Sequence, residues 1–372
     1  MIKVGICGHY GGNKIFLDGQ TVKTKTITKE LIRQLGEEQV RTVDTFGGKR
    51  NIVKTIQGLL KLMRDCEHII ILPAHNSVRI FAPLMIVVNY FCHKKIHYIV
   101  IGGWLPDFIK RRKWLRKVLN GFDYIYVETS TMKSELEKQG LKNIEILPNC
   151  KDIHILKPEE LSYYYDEPYM LCTFSRVTKK KGIEDAIQAV EIINEKFGRI
   201  VFKLDIYGQI DDEYKAEFIQ LLEKAPNYIQ YKGTVGYEES VEILKNYFAL
   251  LFPTYFRTEG IPGTIIDAYA SGIPVIAARW KSFSDVVEEN VVGKGYTLGH
   301  KEELVELLYV IAKQPEIICQ MKENCLAKAN EFSVEHVVLD WRKNLGLGNK
   351  EFNRSIIDMS KKSYINDRGG GR

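Results

Sequence analysis

ALLFPTYFRTEGIPGTIIDAYASGIPVIAA, residues 249–278, holds two short apolar runs separated by a loop and a segment long enough for two helical turns. ALLFP (249–253) and PVIAA (274–278) are continuous apolar runs, as strands buried on both faces of a parallel sheet require. Between them, Glu259-Gly260-Ile261-Pro262-Gly263 reads as a turn, and Thr264 to Ser271 as a helix that starts inside it. Strand, helix and strand in this order make a βαβ unit, and so an α/β fold. Proline and glycine keep side chains away from the helix start and leave backbone N–H groups open to a ligand. Glu259 lies just before that helix and Asp267 about one turn into it. Carboxylates repel phosphate, so their natural ligand partners are hydroxyls. The alternative makes Glu259 an N-terminal helix charge and Asp267 a surface residue.

The same alternation extends outward in both directions. MLCTFS (170–175), FKLDIYG (202–208) and YIQYKG (228–233) read as strands, with KGIEDAIQAVEIINEKF (181–197) and KEELVELLYVIAKQPE (301–316) as amphipathic helices. A polar stretch, KPEELSYYYDEP (157–168), separates this series from an earlier one. There KVGIC (3–7), HIIIL (68–72), HYIVI (97–101), YIYVE (124–128) and EILP (145–148) read as strands, with a helix from about Thr21 to Leu35. Two doubly wound, Rossmann-like domains follow, 1–165 and 166–345, with residues 346–372 as a tail. Such a pair is expected to face a central crevice at the carboxyl ends of its strands, where these folds bind ligands.

Composition sets the class. The chain has 372 residues, 45% hydrophobic and 27% charged, which is ordinary for globular domains. No apolar run is long enough to span a bilayer, and the N-terminus lacks the apolar core of a signal peptide. The seven cysteines show no CxxC or other metal-like spacing, so reduced thiols and a cytoplasmic location are expected. The net charge of +6 is uneven: residues 1–165 hold 26 Lys+Arg against 16 Asp+Glu, and the remainder is acidic. A basic first half suggests an anionic partner: nucleic acid, phospholipid or a phosphorylated substrate. Sparse aromatic-basic interleaving and an acidic second half argue against nucleic acid.

FSRVTKKKGIEDA (174–186) places Arg176 and Lys181 after a strand, with Gly182 opening a helix. Two cations beside a helix N-terminus form an anion site. Lys179 and Lys180 read instead as a solvated turn. A ligand carrying both phosphates and hydroxyls would satisfy these cations, the helix N-termini and the carboxylates together, and a nucleotide sugar is such a ligand.

These residues resemble a known family, the retaining glycosyltransferases of GT-B fold, family 4. Glu259-x7-Asp267 is similar to the family's Glu-x7-Glu motif, with SGIPVIA (271–277) as its continuation. Arg176-x4-Lys181-Gly182 is similar to its phosphate-binding pair, LPNC (147–150) to its PNG element and YKGTV (231–235) to its Gly loop. The resemblance spans roughly residues 1–345. It implies that Arg176 and Lys181 bind the donor diphosphate and offset leaving-group charge, with Glu259 on the donor sugar or its phosphates. The amides of Gly260, Ile261, Pro262, Gly263 and Thr264 would line the donor pocket, and Asp267 would take ribose hydroxyls. It further implies a UDP- or GDP-type donor, no cofactor, no metal and no separate general base, because the departing phosphate accepts the proton.

Three departures stand out. Asp267 is one methylene shorter than glutamate, PNG becomes PNC, and Gly102-Gly103 replace a His found in many members. His75, in LPAHNS (72–77), His9 and Gly103 are the candidates for acceptor or sugar contact. In the loop 8–25, Gly11-Gly12 and Gly19 would let the chain approach the diphosphate, or simply connect strand to helix. LDGQTVKT, VIGGWLPDF and VETSTMKSELEKQG look like capsular and surface-polysaccharide transferases, which implies a glycan acceptor, lipid-linked in many such pathways. WLPDFIKRRKWLRKVL (104–119) mixes aromatics with six Lys/Arg and could lie on the inner face of a membrane, or be an ordinary helix with its basic side in water. A nucleotide-sugar epimerase of similar fold is the alternative enzyme.

Overall fold

The apolar runs pair into two six-stranded sheets. The computed structural model describes residues 2–12, 19–73, 75–163 and 166–346. The first sheet holds β1 (Ile2–Gly8), β2 (Val40–Asp44), β3 (Cys66–Ile71), β4 (Lys95–Ile99), β5 (Tyr124–Val127) and β6 (Ile144–Ile146), in the order β2-β1-β3-β4-β5-β6. The second holds β7 (Tyr169–Phe174), β8 (Phe202–Tyr207), β9 (Ile229–Gly233), β10 (Ala249–Phe252), β11 (Val275–Arg279) and β12 (Gly293–Thr297), in the order β12-β11-β10-β7-β8-β9. Neighbouring strands run parallel, as between β1 and β3, β7 and β8, and β10 and β11.

The sequence accounts for most of this. Ile69, Ile70 and Ile71 on β3, and Leu250 and Leu251 on β10, are fully buried because helices cover both faces of a parallel sheet. The helix Ile183–Phe197 buries Ile183, Ala186, Ile187, Val190 and Ile193, a stripe at helical spacing, and ends at Gly198 with φ of 63°. Each large side chain on that stripe contributes about 1.5–3 kcal/mol by leaving water. Ile187→Ala would cost about 2–5 kcal/mol, since the gap left in a packed core only partly collapses. Two strands escape the sequence reading, β2 and β12. Both are sheet edges, so VRTVD and GKGYT need no continuous apolar run, and β2 is buried at no position.

The chain divides into two compact units that are not contiguous segments. One comprises Met1–Ile99, Trp114–Tyr126 and Val334–Arg372; the other comprises Val100–Lys113 and Val127–Ser333. This differs from a single division at residue 165. Within the second unit, polar clasps fasten the pieces from the first half of the chain. Asp285 accepts hydrogen bonds from the Ser130 amide (2.8 Å) and the Thr131 hydroxyl (2.6 Å), capping the helix Ser130–Lys138. Lys281 bridges Asp107 at 3.1 Å and Glu135 at 2.6 Å. In the first unit, the helix Val334–Trp341 packs on the helix Gly19–Leu35. Trp341 stands edge-on to Tyr126 at 5.5 Å.

Beneath that tryptophan, β3, β4 and β5 carry a buried polar ladder. His68 Nδ1 lies 2.9 Å from His97 Nε2, and His97 Nδ1 lies 3.1 Å from the Tyr126 hydroxyl. Burial pushes the His97 imidazole down to about 3, so it is neutral at any ordinary pH.

The segment 104–119 forms two short helices, Leu105–Ile109 and Lys113–Leu119. Leu105, Phe108, Ile109, Leu115 and Leu119 are buried, and Arg112 stacks on the Phe108 ring at 4.1 Å. Its apolar side is therefore spent on the core, and among its large apolar residues Trp114 alone stands exposed. No helix among the described residues is long and apolar enough to cross a membrane. The seven cysteines form no disulfide among the described residues. Apart from Gly346, the tail expected at 346–372 lies outside the described residues, as do 13–18 of the glycine loop.

Candidate functional site

The strand order of the second sheet reverses between β7 and β10, and the loops leaving the carboxyl ends of those two strands carry the expected residues. Gly182 makes their approach possible. Its φ is +68°, and a Cβ there would sit 1.9 Å from the Pro253 carbonyl oxygen. The Tyr255 amide donates to the Lys180 carbonyl at 2.8 Å, joining the two loops. Gly208, at the end of β8, meets the β7 loop as closely: a Cβ there would lie 1.9 Å from the Ser175 oxygen.

The expected cation and carboxylate meet across this junction. Lys181 Nζ lies 2.5 Å from Glu259 Oε1, and Thr254 Oγ1 donates to the same oxygen at 3.1 Å. Both charged side chains are mostly buried, at 16% and 17% exposure. The ammonium also stands over the rings of Phe252 and Phe256, at 4.9 and 5.2 Å. These rings exclude water on one side, which raises the strength of every charge interaction made there. Arg176 is exposed on the same β7 loop, and its guanidinium has no ion pair among the described residues.

Beyond Glu259 the chain enters the helix Gly263–Ala270 with Pro262 before its first residue. The amides of Gly263 and Thr264 lie in the first turn, where no intrahelical acceptor exists. The Thr264 hydroxyl is buried with no hydrogen-bond partner among the described residues. The Ile261 amide, expected to face the ligand, instead donates to Glu128 Oε2 at 2.9 Å.

Glu128 was not anticipated as a site residue. Its carboxylate, 3% exposed, also accepts the Gly102 amide at 3.2 Å, and so ties the end of one strand to the turn after Glu259. Gly103 completes the junction. Its amide donates to the Thr258 carbonyl at 3.1 Å, and a Cβ at 103 would lie 2.8 Å from the oxygens of both Thr258 and Glu259. The place where the family resemblance leads one to expect a histidine is filled here by the Glu259 loop itself. Gly260 is equally constrained, with a Cβ falling 1.9 Å from Glu128 Oε2.

Asp267 differs from the expectation of an open, hydroxyl-binding acid. It is 4% exposed, and its Oδ1 lies 2.5 Å from Lys151 Nζ. Burial raises the carboxyl above the usual range, and Lys151 opposes that shift. Lys151 immediately follows LPNC and sits over the Tyr237 ring at 4.6 Å. Asn149 of that element donates to the Ile261 carbonyl at 2.9 Å. The sequence signal for these partners was the position of LPNC beside them, but nothing in it paired Lys151 with a residue 116 positions away.

In the first unit, the Gly12 amide donates to Asp44 Oδ2 at 2.8 Å, and the amides of Tyr10 and Phe46 donate to Asp44 Oδ1. The Gly12 N–H is thus already engaged by a carboxylate. Gly11, with φ of 83°, is buried beside it. His9 Nδ1 lies 2.7 Å from the Thr21 hydroxyl, and His75 is exposed in the turn beyond β3.

Residues 162–328 match the family described as Glycosyl transferases group 1. Among curated proteins, the chain is 23% identical over 266 residues to the alpha-galactosylglucosyldiacylglycerol synthase of Streptococcus pneumoniae, covering 66% of this chain and 68% of that one. It is 26% identical over 147 residues to the amylovoran biosynthesis glycosyltransferase AmsK of Erwinia amylovora, covering 38% of this chain and 35% of the relative. Solved structures share the fold, HepE and TarM among them. HepE of Anabaena in complex with UDP and glucose aligns with a TM-score of 0.69 at 14% identity, over 93% of this chain and 100% of that one. TarM of S. aureus aligns with a TM-score of 0.60 at 18% identity, over 78% of this chain and 58% of that one. These neighbours are GT-B glycosyltransferases, and the two parallel six-stranded sheets are of that α/β type.

Proposed function

We propose that this chain, whose residues 162–328 form a glycosyl transferases group 1 domain, moves a sugar from a nucleoside diphosphate sugar to a hydroxyl of a glycan acceptor. The anomeric configuration is retained, and the reaction serves surface-polysaccharide assembly, such as capsule, on the cytoplasmic side. The observation that carries this reading is the Lys181–Glu259 pair at the β7/β10 reversal, with Arg176 exposed on the same β7 loop and open amides at Gly263 and Thr264.

On this reading Arg176 and Lys181 hold the diphosphate, and the first-turn amides and the Thr264 hydroxyl bind its oxygens or the sugar. The bond between the anomeric carbon and the phosphate oxygen breaks, leaving negative charge that these preorganised donors stabilise. The acceptor oxygen bonds to that carbon from the same face and gives its proton to the departing phosphate. Lys181 exchanges its contact with Glu259 for the phosphate, which frees the Glu259 carboxylate for a sugar hydroxyl. Asp267, held by Lys151, supports the donor helix and reaches the ribose only through what Lys151 and its surroundings leave open. No metal ion is required, because two side-chain cations supply the charge. The acceptor, lipid-linked in this reading, binds through the first unit.

A thermal-shift screen of UDP- and GDP-sugars tests the proposal. Stabilisation by one nucleotide series, abolished in Lys181→Ala, is expected; no shift with any of them would sink the donor-site reading. Consumption of donor sugar without acceptor would favour the epimerase alternative, and unchanged turnover in EDTA is expected.

A further inference from the structure

The helix Val78–Cys92, VRIFAPLMIVVNYFC, is apolar on two opposite sides. Val78, Ala82 and Met85, spaced by four and three, face the sheet and are buried. Ile80, Val87 and Phe91, spaced by seven and four, form the opposite stripe and are 57%, 62% and 78% exposed, with Tyr90 beside them at 76%. A helix that is apolar all round belongs in a core or against a lipid phase, because water is a poor solvent for its outer stripe. Its one charged residue is Arg79.

Neighbouring helices extend this surface. The connections β2 to β3, β3 to β4 and β4 to β5 all step the same way across the first sheet, so right-handed crossovers place their helices on one face. The helix Ile52–Asp65 packs on Val78–Cys92, and Gly121, just after the helix Lys113–Leu119, packs on Ile86. Val53, Leu60 and Trp114 stand exposed on these two flanking helices. Half of all the exposed large apolar side chains among the described residues lie on this one face. Lys54, Lys61 and Lys117 are exposed on the same two flanking helices. The only acidic residue of the three helices is Asp65, which is paired with Arg41 and Arg64.

We infer that this face docks on an anionic phospholipid surface, with Val87, Tyr90 and Phe91 entering the interface and the surrounding lysines meeting lipid phosphates. The charge pattern selects this occupant: apolar insertion and several cations of one sign are what a negatively charged leaflet complements. The 15-residue helix is too short to span a bilayer, which needs about 20 residues, so it lies in the plane of the surface. This inference stands apart from the transferase reading, since vesicle binding needs neither donor nor acceptor.

Sedimentation of the full chain with phosphatidylcholine vesicles, with and without phosphatidylglycerol, tests it. The wild type is expected to bind the anionic vesicles at low salt and to bind phosphatidylcholine alone weakly. Trp114 is exposed while Trp104 is half-buried and Trp280 and Trp341 are buried, so most of a blue shift in fluorescence on binding should vanish in Trp114→Phe. Val87→Ser/Tyr90→Ser/Phe91→Ser should keep its melting temperature and lose about tenfold or more in vesicle affinity. Lys54→Gln/Lys61→Gln should weaken binding only to the anionic vesicles. Failure of the wild type to bind at low salt, or wild-type binding by the triple serine variant, would overturn the inference. So would a wild-type dimer in light scattering that the triple variant converts to monomer, which assigns the face to a second copy of the chain.

Discussion

Lys181 and Glu259, 78 positions apart in the chain, meet at 2.5 Å in a mostly buried pocket roofed by two phenylalanine rings. A cation and an anion held this way satisfy each other without a ligand, and on the proposed donor reading an incoming diphosphate would compete with Glu259 for the same ammonium. Lys181→Ala should lower kcat/KM about 100-fold or more, in line with the loss of one preorganised charge stabiliser. The melting temperature should change much less, and equal turnover in the variant and wild type would remove Lys181 from the reaction.

Gly103 should tolerate no side chain. Gly103→Ala puts a methyl 2.8 Å from two carbonyl oxygens, so the Glu259 loop must move. A cost of about 1–3 kcal/mol is expected, read as a lower melting temperature and weaker nucleotide binding. Gly103→His should be worse still, although it installs the residue that the family resemblance leads one to expect there. A stable, active histidine variant would show that the loop can vacate this position.

Glu128 should act as a positioning residue for the turn after Glu259. Glu128→Gln keeps the shape but replaces one acceptor oxygen with an NH2, leaving the Ile261 or Gly102 amide facing a donor. Nucleotide-sugar KM should rise about five- to tenfold with kcat less affected, and overall folding should persist. Glu128→Asp, which retains both oxygens on a shorter arm, should recover part of the affinity. Identical effects of Gln and Asp on melting and on KM would reduce Glu128 to a purely structural role.

The buried imidazole of His97 sets a pH dependence of stability. Its folded pKa is near 3, against 6.5 for an ordinary histidine, so the unfolded chain binds an extra proton between those values. Stability from this group is complete above about pH 6.5 and falls as pH drops toward 3, by up to about 1.4 kcal/mol per pH unit. Chemical denaturation across that range should show the slope, and His97→Gln should flatten it. An unchanged slope would place the acid sensitivity elsewhere.

Much of the fold was legible because buried parallel strands announce themselves. HIIIL and ALLFP are apolar on both faces, and the helix Ile183–Phe197 carries a clean stripe. Two of the four edge strands, β2 and β12, were not legible, since an exposed edge asks little of its side chains. The site was legible in part. Arg176, Lys181 and Glu259 could be named from strand ends and spacing. Asp267 could be named too, but its pairing with Lys151 could not. The outer apolar stripe of Val78–Cys92 was equally hidden, because an all-apolar segment reads the same whether its second face is covered or bare.

The sequence alone determined the local choices: which runs become buried strands, where glycine and proline open a helix N-terminus, and which charges stand beside it. These follow from backbone sterics and from the period of the apolar pattern, both of which act over a few residues. Tertiary structure decided which distant groups share a small volume. Only there does Gly103 lose all room for a side chain, does Glu128 hold the Ile261 amide, and does Asp267 become a buried partner of Lys151. Contact and desolvation depend on where the folded chain brings its segments together, and neighbouring residues in sequence do not encode that placement on their own.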